Sequence, residues 1–120
     1  MSSYKNLLAY KKAFALAIKI FTITKNFPSE ERFSLIDQIR RSSRSVCANL
    51  AEADNRRRYR DYFISKLNDC IAENAETEVW LDFSLEFNYL SPTEHVELIS
   101  LNAEVGKLLW YMINNPEKFL

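Results

Sequence analysis

Seven of the chain's eight arginines fall within "QIRRSSRSVCANLAEADNRRRYRDYF", residues 38–63: Arg40, Arg41, Arg44, Arg56, Arg57, Arg58 and Arg60. A guanidinium is planar, permanently charged and forked, so it grips a phosphate or a carboxylate at two points. Two chemistries are therefore open. Arg40, Arg44, Arg56, Arg57, Arg58 and Arg60 could hold a nucleic-acid backbone, with Tyr59 and Tyr62 offering faces to unpaired bases. Alternatively the arginines are consumed by carboxylates. Asp37 with Arg41, Asp54 with Arg58 and Arg57 with Asp61 all stand at the helical i,i+4 spacing.

The other reactive residues form no catalytic set. Glu73 and Glu76, with Glu78, invite comparison with a bundle metal site, but a di-iron bundle needs two Glu-x-x-His motifs. The only histidine is His95, and no Glu-x-x-His occurs. Glu73 and Glu76 are better placed to receive arginines from a neighbouring helix or subunit. Nucleophilic catalysis needs a base with an orienting partner, and a lone histidine in a first helical turn reads as a surface residue. Cys47 and Cys70 fall about 10 Å apart in height, too far for a disulfide, and read as small buried hydrophobes. The single glycine, Gly106, excludes a glycine-rich phosphate loop. The reading is a non-enzymatic protein with no metal, cofactor or small-molecule substrate.

The elements that position these residues follow from composition. One Gly and three Pro in 120 residues leave little turn chemistry, so long helices with few connections are expected, in a single domain. Net charge is zero yet polarised. Residues 1–60 carry thirteen Lys+Arg against five Asp+Glu, and residues 61–120 carry three against eleven. Such a split marks either a basic surface or two halves that neutralise each other. A pI near 6.6 argues against strong unspecific nucleic-acid binding by one subunit. No export pattern and no run of about 18 apolar residues occurs, which points to a cytoplasmic protein with free thiols and no membrane contact.

Four helices are expected, over about 3–26, 29–53, 57–88 and 92–114. Phe27-Pro28 ends the first; Ser29 is the expected cap of the second and Asn55 of the third. "SPTE" at 91–94 opens the fourth with a capping serine, a first-position proline and a glutamate three residues on. The first and fourth helices each carry two apolar stripes. In the first these are Leu7, Phe14, Ile18 and Phe21 against Ala9, Ala13, Leu16, Ile20, Ile23 and Phe27. In the fourth, Val96, Ile99, Ala103, Gly106, Trp110 and Ile113 oppose Leu98, Leu101, Val105, Leu108 and Met112. A helix apolar on two sides needs cover on two sides, and the simplest cover is another copy of the chain. On the second helix, Gln38, Ser45, Asn49 and Glu52, edged by Arg41, form a polar row beside the seam. With Glu73 and Glu76 the row is expected to form an inter-helix network that fixes register.

The stretch "FPSEERFSLIDQIRRSSRSVCANLAEADNRRRYRDYFISKLNDCIAENAETEVWL" resembles the four-helix-bundle family related to proteins encoded by intervening sequences of bacterial large-subunit ribosomal RNA genes. The resemblance rests on Phe27, Pro28, Glu31, Phe33, Leu35, Gln38, Ile39, Arg40, Arg41, Ser42, Ser45, Val46, Ala48, Asn49, Leu50, Ala51 and Glu52. Asp61-Tyr62-Phe63, Lys66-Leu67, Glu73, Glu76-Thr77 and Trp80-Leu81 extend it. Two turn glycines of the family stand here as Ala53 and Asn55, which implies a different turn with Asn55 free to go left-handed. The resemblance implies a left-handed, antiparallel up-and-down bundle assembling as a homopentameric ring. It also implies kinship with the accessory protein of diversity-generating retroelements, which associates with a reverse transcriptase and nucleic acid. The expected role is thus a homo-oligomeric scaffold or adaptor that engages RNA, or a reverse-transcriptase-like protein, through its arginine-rich end. The alternative is a protein-interaction ring whose arginines are spent in salt bridges.

Overall fold

The computed structural model describes residues 3–120. Among them α1 (Leu8–Thr24), α2 (Leu35–Asn55), α3 (Arg60–Glu86) and α4 (Pro92–Asn114) carry the fold. Short 3-10 turns lie at Tyr4–Asn6, Ser29–Glu31 and Pro116–Lys118, and the described residues contain no strand. Cross-helix partners fix the topology. Lys12 meets Glu104 while Lys19 meets Glu97, so α1 and α4 run antiparallel. Arg41 meets Glu73 while Glu52 meets Lys66, which sets α2 against α3 in the same sense. Asn74 bonds Asn102 and Asp82 bonds His95 between α3 and α4. Each helix packs on its chain neighbours, and α4 returns to α1. The result is an all-α, antiparallel four-helix bundle 44 Å long and 25 by 21 Å across.

The core is one column of apolar side chains. Ala13, Leu16 and Ile20 of α1 meet Ile39, Val46 and Leu50 of α2, Phe63, Leu67 and Leu81 of α3, and Leu98, Val105 and Leu109 of α4. Each large member contributes roughly 1.5–3 kcal/mol by leaving water. Two polar rungs interrupt the column, and both are satisfied. Ser42 and Thr77 share a 2.8 Å hydroxyl bond between α2 and α3. Asn74 and Asn102 bond reciprocally between α3 and α4: the Asn74 amide donates to Asn102 Oδ1 at 2.9 Å, and the Asn102 amide donates to the Asn74 carbonyl at 3.0 Å.

Several helix ends differ from expectation, each for a local reason. The first helix begins at Leu8 rather than Ser3, because Leu7 is extended (φ −67°, ψ 131°) and Ser3 caps a separate turn by accepting from the Lys5 N–H. Ser29 does not cap the second helix. It opens a 3-10 turn, and α2 starts only after Ser34, whose φ −127° and ψ −99° break the helix. The Ser34 hydroxyl donates to Glu31 instead of capping. Asn55 is the last residue of α2, not the cap of the third helix, and α3 begins at Arg60. The left-handed asparagine is Asn88 (φ 62°), beyond the end of α3 at Glu86. There the N–H groups of Tyr89 and Leu90 both return to the Ser84 carbonyl, closing the helix end. At α4, Ser91 and Glu94 form both bonds of a capping box.

The second apolar stripes of α1 and α4 are only partly covered in the single chain: Leu7, Ile99 and Ile113 pack against the core, but other members do not. Phe14 and Ile18 are 49% and 53% exposed, and Val96 and Trp110 are 67% and 52% exposed. No helix of the described residues is long and apolar enough to cross a membrane.

Candidate nucleic-acid interface

The arginines separate into two groups. Three are tied to carboxylates. Arg41 reaches across the seam to Glu73 at 2.8 Å and also to Glu76. Arg57 meets Asp54 at 3.3 Å, and Arg60 meets Glu117 at 3.0 Å. The pairings expected within helices, Asp37 with Arg41, Asp54 with Arg58 and Arg57 with Asp61, do not form. Arg41 finds two carboxylates on α3 instead of one on its own helix. The helix stops at Asn55, so Asp54 and Arg58 no longer share a helical face, and Asp54 is taken by Arg57. The bond to Glu73, opposed by partial burial, holds the Arg41 guanidinium above its ordinary value.

The other five arginines have no carboxylate partner among the described residues, and each lies over an aromatic ring. Arg40 stands 4.4 Å from the Phe21 centroid and Arg44 stands 5.7 Å from the same ring. Arg56 covers Tyr62 at 5.1 Å, Arg58 covers Tyr59 at 5.5 Å, and Arg32 covers Phe33 at 5.7 Å. A ring holds a guanidinium by its face and leaves the donor edge free. Arg40 is further steadied by donating to the Thr24 hydroxyl at 2.9 Å and the Phe21 carbonyl at 3.3 Å. Arg32, Arg40, Arg41 and Arg44, with Asp37 and Ser45, line an open groove of about 470 Å³ along α2.

Of the residues that the sequence grouped as phosphate ligands, Arg40, Arg44, Arg56 and Arg58 are thus unpaired, whereas Arg57 and Arg60 are tied to acids. Tyr59 and Tyr62 are half-exposed beside them. Arg32, outside the quoted stretch, joins the groove, and nothing in the spacing along α2 announced it. The Phe21 platform was equally hidden, since it depends on how α1 packs against α2.

The expected polar network is divided rather than continuous. Gln38 accepts from Arg41 Nε at 3.5 Å, so Gln38, Arg41, Glu73 and Glu76 form one cluster. Asn49 turns back on its own helix, donating to the Ser45 carbonyl at 2.9 Å and to its hydroxyl at 3.3 Å. Glu52 leaves the row for Lys66, which also meets Asp69. The row breaks because α3 offers acids opposite Arg41 but a lysine opposite Glu52. His95 bonds Asp82 at 2.9 Å on the other seam. Burial pushes the Cys47 thiol up to about 11 and the Cys70 thiol up to about 12, so neither is a ready nucleophile at neutral pH. No group of three or more His, Cys, Asp or Glu gathers in metal-binding geometry among the described residues.

The family described as 23S rRNA-intervening sequence protein matches residues 5–111. Among solved structures, a protein of unknown function from the S23 ribosomal protein family of Bacteroides thetaiotaomicron VPI-5482 superposes with a TM-score of 0.81. It is 29% identical, and the match covers 89% of this chain and 96% of that one. No curated protein matches.

Proposed function

Because this chain belongs to the 23S rRNA-intervening sequence protein family, we propose that it is a non-enzymatic, cytoplasmic, homo-oligomeric scaffold that engages RNA through its carboxylate-free arginines. The observation that carries this reading is the seating of Arg32, Arg40, Arg44, Arg56 and Arg58 on aromatic rings. Arg32, Arg44, Arg56 and Arg58 keep their donor edges available for a phosphate, Arg40 keeps the donors not spent on Thr24 and Phe21, and Arg40 and Arg44 lie where α1 supplies no acid. The half-exposed second stripes of α1 and α4 support association of copies, and the family resemblance supports a left-handed bundle closed into a pentameric ring. A ring multiplies a weak arginine contact by the number of subunits.

The test is binding of single-stranded and hairpin RNA over a salt series. Log affinity is expected to fall with log salt at a slope of about −0.7 per phosphate contact on single strands. Absence of binding at low salt, or a flat salt dependence, overturns the RNA role. A second reading, a protein-interaction ring without RNA, is favoured by the ion pairs of Arg41, Arg57 and Arg60. It predicts an intact assembly that ignores RNA at every salt concentration.

A further inference from the structure

The groove between the top of α2 and the end of α3 is built unlike the arginine groove. It is an open trough of about 600 Å³ lined by Leu35 and Gln38 of α2, by Trp80 and Phe83 of α3 and by Phe87 just after it, with Glu31 and Ser34 at its edge. Trp80, Phe83 and Phe87 form a ladder with centroids 6.0 and 5.6 Å apart, and Phe83 and Phe87 are nearly half exposed. The Trp80 indole N–H is buried with no acceptor. An unsatisfied buried donor costs about 1–3 kcal/mol, so the trough is unfinished in the single chain. Glu30 lies beside Phe87 at its end and Glu86 directly precedes Phe87 in the chain, and neither has a cationic partner among the described ion pairs.

The complementary surface is on the same chain. α1 carries three lysines and no carboxylate, whereas α3 carries seven carboxylates against one Arg and one Lys. Phe14 and Ile18 stand half-exposed on the outer side of α1. Lys12 and Lys19 are paired with α4, but Lys11 and Lys25, which bracket Phe14 and Ile18 in sequence, are not. The Thr22 hydroxyl, one turn beyond Ile18, donates to the Ile18 carbonyl at 3.1 Å and keeps lone pairs free to accept. α1 and α3 occupy opposite corners of the bundle, since each packs chiefly on α2 and α4. One chain cannot bring these faces together, and two chains can.

We infer that the Trp80–Phe83–Phe87 trough receives the outer face of α1 from a second copy. Phe14 and Ile18 cover the ladder, and Lys11 and Lys25 lie against Glu30 and Glu86. The contact is head-to-tail, so each copy uses both faces, and such contacts extend into rings or filaments. This inference rests on the self-association in the proposed function and names its two surfaces.

The experiment measures mass by light scattering and sedimentation over a concentration series for the wild type, I18E, F83E, K11E/K25E, E30K/E86K and the quadruple reversal. Circular dichroism melts confirm that each variant is folded. The wild type is expected well above the 14.1 kDa chain mass. I18E and F83E are expected to fall to the monomer while still folded. Each double reversal places like charges together and weakens association by about tenfold, and the quadruple reversal restores it. If the wild type assembles but the double reversals leave its mass unchanged, or the quadruple is no better than the doubles, the copies use another face and this pairing is wrong. If the wild type itself is a 14.1 kDa monomer, self-association fails as well.

Discussion

Arg40 and Arg41 are adjacent on α2 and end in opposite surroundings. Arg41 faces α3, whose seven carboxylates include Glu73 and Glu76 at the matching level, and it is clamped by both. Arg40, one residue and about 100° away, faces α1, which has no carboxylate, and it rests on the Phe21 ring beside Arg44. The same side chain becomes a structural strut on one flank and an uncompensated cation on the other. What decides between them is the composition of the neighbouring helix. The polarised sequence, basic first half and acidic second half, is therefore not simply neutralised on folding. α2 is shared between one acidic and one basic neighbour, and only its acidic flank is quenched.

The largest expected effect tests the unquenched flank. Replacing Arg40 and Arg44 together by Gln would remove two of the proposed phosphate contacts per subunit. RNA affinity at low salt should drop by at least about tenfold, and the salt slope should lose about 0.7 per contact. Arg41→Gln should leave RNA affinity within about twofold. Equal losses from the two variants would erase the distinction between the flanks.

The next effect is on stability and runs the other way. Arg41→Gln leaves Glu73 and Glu76 facing each other with no cation between them. Arg41 is 46% exposed, so solvent screens the pair, and a loss of about 1 kcal/mol is expected, or roughly 4 °C in melting temperature. The loss should shrink in 1 M salt, where screening acts over about 3 Å. Arg40→Gln should cost less, because it gives up hydrogen bonds to Thr24 and Phe21 without stranding a charge. A larger melting loss from Arg40→Gln would mean that the Phe21 seat is the true strut.

These contrasts were only partly legible in the chain. The four-helix, all-α character could be read because glycine and proline are scarce and because "SPTE" is a complete start signal. The two-sided apolar pattern of α1 could be read because helical periodicity shows in sequence order. The partition of the arginines could not, since it depends on which helix faces each side of α2. The i,i+4 pairs failed for the same reason: a local carboxylate loses to two non-local ones, and a helix that stops at Asn55 breaks the spacing. The left-handed residue was sought at Asn55, where the family has glycine, but Asn55 is helical and Asn88 does that work after α3. The 3-10 turn before α2 was hidden because Ser29 and Ser34 are equally good capping residues by type.

A smaller effect should appear in acid, at the α2 end of the apolar trough. Glu31 accepts from the Ser34 hydroxyl and from the Tyr89 hydroxyl, and these bonds, in that order, hold its carboxyl below the ordinary value of 4.5. A carboxyl depressed in the folded state stabilises it above the unfolded value, and that contribution disappears as pH falls through the folded value. Wild-type and Glu31→Gln melting temperatures should therefore differ most at pH 6 and converge below about pH 4. A difference that stays constant from pH 6 to pH 3 would show that Glu31 does not act through its charge.

The smallest effect sharpens the comparison from the far side of α3. Toward α2 the seam carries the Arg41–Glu73 and Glu52–Lys66 ion pairs, and toward α4, away from the His95–Asp82 contact near the helix end, it carries the neutral Asn74–Asn102 pair, with Gly106 directly beside it. A Cβ on Gly106 would stand 2.8 Å from Asn74 Oδ1, inside normal contact. Asn74 cannot simply swing aside, because its amide is held by both the carbonyl and the side chain of Asn102. Gly106→Ala gains about 1 kcal/mol in helix propensity and loses about as much by disturbing that pair. The net change should be within about 1 kcal/mol. It should also be indifferent to salt, unlike that of Arg41→Gln, since no charge changes partners at this seam. A clear stabilisation would mean that Asn74 yields freely and that the amide pair does not set the spacing of α3 and α4. A salt-dependent loss would mean that charges govern both seams of α3 rather than one.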